Sequence, residues 1–265
     1  MRSDCHIHVS GKEDARKVLA SMDEHGFAKA VLMGRGARTT EEQRASSDDL
    51  AKLCSADRKR LLGFARIDPR IEGVTDEVRR CREKLGLVGI KMLPDHWAPC
   101  DEFMFPVYGT IESMGMPILF HSGILWGNAD SSRFCRPALY ESVIHFPKLK
   151  IALAHIGWPW TDECIAVANR FVHKARGEKR KNPQVFIDTT RGTPTVYRRD
   201  ALKKAIACCG VGTLISGSDS GHCEDFSTSA EHAEMDVEIL SDLGCSEQEI
   251  DMILGSNLDK LLEAD

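Results

Sequence analysis

Two kinds of stretch alternate along the chain. Short apolar runs of four to seven residues occupy 5–9, 28–33 (AKAVLM), 61–67 (LLGFARI), 88–93 (VGIKML), 117–121 (PILFH), 151–155 (IALAH), 185–188 (VFID) and 213–216 (TLIS). Between them lie longer stretches whose apolar residues recur at helical spacing, as Val237, Leu240 and Leu243 do. These stretches predict helices near 13–25, 41–55, 76–85, 105–114, 137–146, 162–174, 198–208 and 230–243, with a short pair at 247–254 and 257–263.

Apolar runs that are continuous rather than alternating indicate strands buried on both faces, as in a parallel sheet. Eight such strands, each leading into a helix, predict a single-domain (β/α)8 TIM barrel over residues 1–265. A doubly wound open sheet shares the local alternation. It would place a glycine-rich phosphate turn after the first strand, where this chain has His6-Ile7-His8. No linker-like composition and no repeat beyond the βα alternation divides the chain.

Composition narrows the function classes. With 35 Lys plus Arg against 40 Asp plus Glu, the net charge of −5 argues against a broad surface for nucleic acid or anionic lipid. No apolar run is long enough to span a bilayer, and the N-terminus lacks the apolar core of a secretory signal. The ten cysteines are scattered, without a C-x-x-C pair, so reduced thiols and a cytoplasmic location are expected. Cys54 and Cys81 read as small buried hydrophobes. The expected partner is a small-molecule substrate, with no nucleic acid and no membrane; self-association into a homo-oligomer stays open.

The histidines fall at informative places. Residues two apart on a strand project to the same side, so His6 and His8 on the first strand can grip one ion. His121 ends the fifth run, His155 ends the sixth, and Asp219 follows the eighth. In a barrel these strand ends converge on one mouth, where such folds carry their chemistry. Histidines and an aspartate meeting there suit Zn²⁺ or a similar divalent ion. Singly, each would serve as a hydrogen-bonded core residue; their common placement is the argument.

These segments resemble the amidohydrolase superfamily, most closely its amidohydrolase-2 branch of hydrolases and non-oxidative decarboxylases. Asp4-Cys5-His6-Ile7-His8 is similar to the opening D-x-H-x-H motif. Arg136-Pro137 and the segment from Phe146 to Gly157 (FPKLKIALAHIG) are similar to that branch's "rP … fPdlkivlaHlG". Ser216-Gly217-Ser218-Asp219 resembles its strand-8 G-S-D, and Ile253-Leu254-Gly255-Ser256-Asn257 its terminal "ilggNa". The resemblance covers nearly the whole chain and implies that His6, His8, His121 and Asp219 ligate the metal. It makes His155 either a ligand to a second ion or a base beside the activated water. The usual aromatic-Pro after G-S-D is replaced by Ser220-Gly221-His222-Cys223, which changes a substrate-facing loop. Lys91, on the fourth strand, corresponds to a lysine that is carboxylated and bridges two metals in some members. Members of this branch more often work with one ion and keep that lysine unmodified, so one divalent ion is expected here, Zn²⁺ first and Mn²⁺ as the other candidate.

The function so implied is hydrolysis of an ester, lactone or amide carbonyl in a small carboxylate-bearing substrate by metal-activated water. Asp219 moves the proton and His155 assists. Arg66, Lys91, Trp126, Arg191 and His222 are the candidate substrate contacts, with an aromatic-walled pocket beneath a cover at 125–136. Non-oxidative decarboxylation of an aromatic or unsaturated acid would use the same ligands. A TatD-type nuclease also opens with H-x-H, but the acidic balance disfavours it. A non-catalytic metal-binding barrel is the remaining reading.

Overall fold

The computed structural model describes residues 2–127 and 129–263. Eight parallel strands follow one another around the sheet: β1 (Arg2–His8), β2 (Phe27–Met33), β3 (Leu61–Arg66), β4 (Gly89–Met92), β5 (Ile118–Phe120), β6 (Ile151–Leu153), β7 (Val185–Asp188) and β8 (Leu214–Ile215). The backbone beyond β8 closes the barrel. Cys5 N–H donates to Ser216 O (3.0 Å), His8 N–H to Ser220 O (2.8 Å), and Asp219 N–H to His6 O (2.9 Å). The protein is therefore a single-domain (β/α)8 TIM barrel.

The helices are α1 (Ala15–Glu24), α2 (Thr40–Cys54), α3 (Val74–Glu83), α4 (Phe105–Ser113), α5 (Ser131–Phe134), α6 (Thr161–Gly177), α7 (Thr195–Cys209), α8 (Ser227–Asp242), α9 (Glu247–Asp251) and α10 (Asn257–Leu262). Local sequence sets several of their starts. Asp14, Thr39 and Ser246 each accept an N–H of the following first turn, and Ser246 with Glu249 forms a capping box. Among the described residues no helix is long and apolar enough to cross a membrane.

Both faces of the strands are buried, as continuous apolar runs require. Leu119, Ala152 and Phe186 point into the barrel with Phe64, while their neighbours Ile118, Phe120, Ile151, Leu153, Val185 and Ile187 pack against the helices. Burying each of these larger side chains contributes roughly 1.5–3 kcal/mol. Gly89 has a packing reason of its own, because a Cβ there would overlap the Phe64 ring inside the barrel. Cys54 and Cys81 are buried, and all ten cysteines are free.

Some element ends differ from the sequence expectation. Segment 137–146 forms a 3-10 helix, Pro137–His145, rather than an α-helix. The α-helical partner of the Val143 carbonyl would be residue 147, a proline without an N–H. That carbonyl instead accepts from Phe146 N (2.9 Å) and from the Gln184 side chain (2.8 Å). The sixth strand stops at Leu153, and His155 lies in the tight turn Ala154–Gly157. In the expected cover at 125–136, residues 131–134 form α5, and Asn128 lies outside the described residues.

Candidate metal centre

His6 and His8 converge with Asp219 at the C-terminal rim of the barrel. His6 Nε2 lies 3.2 Å from His8 Nε2 and 3.2 Å from Asp219 Oδ1, and His8 Nε2 lies 3.1 Å from the same oxygen. Backbone irregularity aims these groups. Across Asp4 to Ile7, β1 carries one more residue than β2, a bulge at the His6 position. Asp4 pins it, its Oδ1 accepting from His6 N (2.9 Å) and Ser218 N (3.0 Å). Burial pushes the Asp4 carboxyl up to about 6 against those hydrogen bonds. Asp219 itself sits at φ 58°, and His155 at φ 63°. Left-handed backbone at non-glycine residues is a strained conformation that collects at functional sites.

The donor set fits a divalent cation. His6 Nδ1–H points at Asp188 Oδ2 (2.7 Å), which leaves Nε2 as a lone pair facing the other ligand atoms. Two imidazole nitrogens and a carboxylate oxygen within 4.8 Å of one another crowd acceptors that a cation would bring together. Burial, then the positive charge of Lys91, holds His6 well below the ordinary histidine range, so its ring is neutral. Burial opposes ionisation of Asp219, yet His6, His8 and His155 together hold it well below the ordinary carboxylate range.

Lys91 and His155 complete the inner group. Lys91 Nζ lies 3.2 Å from His6 Nε2, and burial brings its ammonium down to about 8 against the pull of Asp219 and Asp188. His155 Nε2 is 3.9 Å from Asp219 Oδ2, and its Nδ1 is 2.6 Å from Thr190 Oγ1. His121 is buried beside it, the two ring centroids 5.1 Å apart. Its Nε2 turns to the Ile124 carbonyl at 3.1 Å, so Nδ1 is the nitrogen it has to offer.

The other candidates lie further out. Arg66 pairs in register with Lys91 and opens onto a groove of about 1320 Å³, whose other arginines are Arg35, Arg38 and Arg70, with His96 also on its wall. Its guanidinium packs on the Gly36 backbone, where a Cβ would come within 3.1 Å of Cζ. Among the described residues it makes no hydrogen bond, while Arg70 is bound to Asp68 and Asp95 and Arg35 to Asp49. Arg191 is exposed and lines a separate cavity of about 290 Å³ with His232. Trp126 is 82% exposed and stacks on Trp158, which touches Tyr197. Trp97 is buried, and Trp160 lies under the Arg136 guanidinium. His222 is exposed in its loop.

Two members of the site went unnoticed in the sequence, Asp188 and Thr190. Asp188 ends the seventh apolar run just as His121 and His155 close theirs, so the strand-end rule applied to it as well. Thr190 carried no such signal.

Fold and site together define a (β/α)8 barrel with a candidate histidine–carboxylate metal site at its C-terminal rim. The sequence model of the amidohydrolase family (Amidohydro_2) matches residues 3–263, and the chain belongs to this metal-dependent family. Similar solved structures include 2,6-dihydroxybenzoate decarboxylase from Rhizobium, 18% identical, with a TM-score of 0.67 and 98% of each chain covered. A 5-carboxyvanillate decarboxylase from Novosphingobium aromaticivorans, crystallised with manganese, is 13% identical, with a TM-score of 0.69 over 99% of this chain and 97% of that one. A probable 2-pyrone-4,6-dicarboxylic acid hydrolase from Acinetobacter baumannii is 15% identical, with a TM-score of 0.63 and 98% of each chain covered. No curated protein sequence matches. These relatives are enzymes of both reaction types.

Proposed function

We propose that the protein is a metal-dependent hydrolase that opens an ester, lactone or amide bond in a small carboxylate-bearing substrate. The observation that carries this reading is the placement of the two Asp219 oxygens. Oδ1 faces His6 and His8, while Oδ2 turns to His155. One carboxylate can thus help hold an ion and still take a proton from water beside it.

His6 Nε2, His8 Nε2 and Asp219 Oδ1 would hold the ion, with Zn²⁺ or Mn²⁺ as the candidates, while His121 lies outside that close group and has Nδ1 left to offer. A divalent ion bound there supplies Lewis acidity toward a carbonyl oxygen and lowers the pKa of water. Asp219 Oδ2, the oxygen turned toward His155, takes the proton from the attacking water and hands it to the leaving group. His155 Nε2 lies on the same side and stabilises the charge that develops on the carbonyl oxygen. Lys91 adds positive charge beside the Nε2 edge of His6. Arg66, free of hydrogen bonds among the described residues, is the fork that takes a substrate carboxylate.

The test is turnover by the zinc- or manganese-loaded protein. Carboxylated lactones and esters should be opened, and Asp219→Ala should lose metal and turnover together. Release of CO₂ from hydroxybenzoate-type acids with no lactone or ester opened would overturn hydrolysis. Retention of full metal content by Asp219→Ala would remove that residue from the ligand set.

A further inference from the structure

Behind the metal centre lies a fully buried ion pair that none of the chemistry above uses. Arg198, on α7, is 1% exposed and donates from Nε to Asp236 Oδ1 (2.7 Å) and from its second amino nitrogen to Asp236 Oδ2 (2.7 Å). The same guanidinium donates to the carbonyls of Thr189 and Thr190, the latter at 3.3 Å. Thr189 Oγ1 returns a hydrogen bond to Asp236 Oδ2 (3.3 Å). The backbone just beyond β7 is thus held from behind by one α7 residue and one α8 residue.

The front of that backbone faces the site. Thr190 N–H donates to Asp188 Oδ1 (2.7 Å), while Asp188 Oδ2 takes the Nδ1 proton of His6. Thr193 Oγ1 donates to the His155 carbonyl (2.5 Å), and a Cβ on Gly192 would overlap the His155 ring. Thr190 Oγ1 lies 2.6 Å from His155 Nδ1 and has no other hydrogen-bond partner among the described residues. A buried hydroxyl proton needs an acceptor, so this one goes to Nδ1. Neutral His155 then carries its own proton on Nε2, the nitrogen turned toward Asp219.

We infer that Arg198 and Asp236 are positioning residues for the centre: they fix the 189–193 loop so that Thr190 sets the tautomer of His155 while Asp188 orients His6. His155 is thereby a hydrogen-bond donor to the reacting oxygen. The assignment of that last role rests on the hydrolytic reading; the positioning does not.

The test uses the full-length, zinc-loaded protein with ¹⁵N-labelled histidine, and reads the His155 ring nitrogens by long-range ¹H–¹⁵N NMR at one fixed pH. A His155→Gln variant identifies the signals. The native protein should show a protonated Nε2 and an unprotonated Nδ1. Thr190→Val should give averaged signals of mixed tautomers, and Thr190→Ser should restore the native pair. Removing Arg198 alone strands a buried carboxylate and threatens folding, so the decisive variant is Arg198→Met with Asp236→Leu, which removes both charges at similar volume. It should keep a cooperative thermal transition and still show averaged His155 signals. Native signals in Thr190→Val, or in the folded double variant, would overturn the inference.

Turnover of a carboxylate-bearing p-nitrophenyl ester gives a separate readout, with kcat falling roughly 10–100-fold in Thr190→Val and KM little changed. Ring signals that behave as expected, in a native protein inert to the ester, would uphold the positioning and count against the hydrolytic reading instead.

Discussion

The two flanks of the barrel mouth are built on opposite principles. On the side of β1, β6, β7 and β8, polar groups are buried and bonded to one another: His6 to Asp188, His155 to Thr190, Arg198 to Asp236. On the side of β2, β3 and β4, an open groove of about 1320 Å³ carries arginines at partial or full exposure, Arg35 bound to Asp49 and the Ser10 carbonyl and Arg70 to Asp68 and Asp95. The first flank fixes geometry, because a buried polar network has few alternative arrangements and each broken bond is costly. The second can adapt, since exposed ion pairs contribute about 0–1 kcal/mol and exchange readily for a ligand. Under the function proposed above, chemistry would sit on the rigid flank and recognition on the open one, so loops could change specificity while the candidate centre stays put.

If that contrast is real, acid should attack the dense flank first. Burial, then the charge of Arg198, brings His232 down to about 4, from an ordinary value of 6.5. The unfolded chain therefore binds this proton before the folded one does. The stability tied to His232 is whole above pH 6.5 and is lost progressively as pH falls toward 4. At 1.36 kcal/mol per unit, its share reaches about 3 kcal/mol. Urea titrations between pH 7 and 4 should show the decline, and His232→Gln should flatten it by about that amount. An unchanged slope in that variant would mean the network does not keep His232 neutral.

A smaller effect is expected one bond away from the metal. Asp188→Asn keeps the shape at the end of β7 but weakens the carboxylate that orients His6 through Nδ1. Outer partners of metal-ligating histidines typically govern 10–100-fold in affinity, so zinc competition with a chelating dye should register a loss of roughly that size. Zinc affinity equal to the native protein's would place Asp188 outside the centre's support.

The two flanks were also unequally legible in the sequence. Apolar runs that end in His121, His155 and Asp188 announce strand ends, and an H-x-H pair on a strand announces a shared direction. The barrel, with His6, His8, His121 and His155, follows from those local patterns; Asp188 fits the same pattern but was passed over, and Thr190 carries no such mark. Arg198 did not follow, because in Tyr197-Arg198-Arg199-Asp200 it looks like any charged residue opening a surface helix. Its meaning comes from Asp236, 38 residues away in sequence, and that pairing exists only once α7 and α8 pack. Trp126 shows the converse. Its loop position suggested a pocket wall, yet nothing in local composition reveals that it stacks on Trp158 at 82% exposure. Strand position is written in periodicity, whereas partners across the fold and the exposure of loop side chains are not.

The open flank should yield the smallest and most selective effect. Arg66 has its guanidinium against Gly36 and no hydrogen bond to its own chain among the described residues, so removing its charge leaves no partner stranded. Arg66→Met keeps most of the packing volume and should leave stability and metal content unchanged. A hydrogen bond to a charged group contributes about 1.5–3 kcal/mol, and water in the groove compensates part of it. KM for a carboxylated lactone should therefore rise roughly tenfold while kcat holds, the pattern of a lost contact that ground and transition states share. KM for the uncharged analogue should not move. Equal losses for both analogues would show that Arg66 acts on Lys91 and the centre rather than on the substrate, and the line drawn between the two flanks would have to move by one strand.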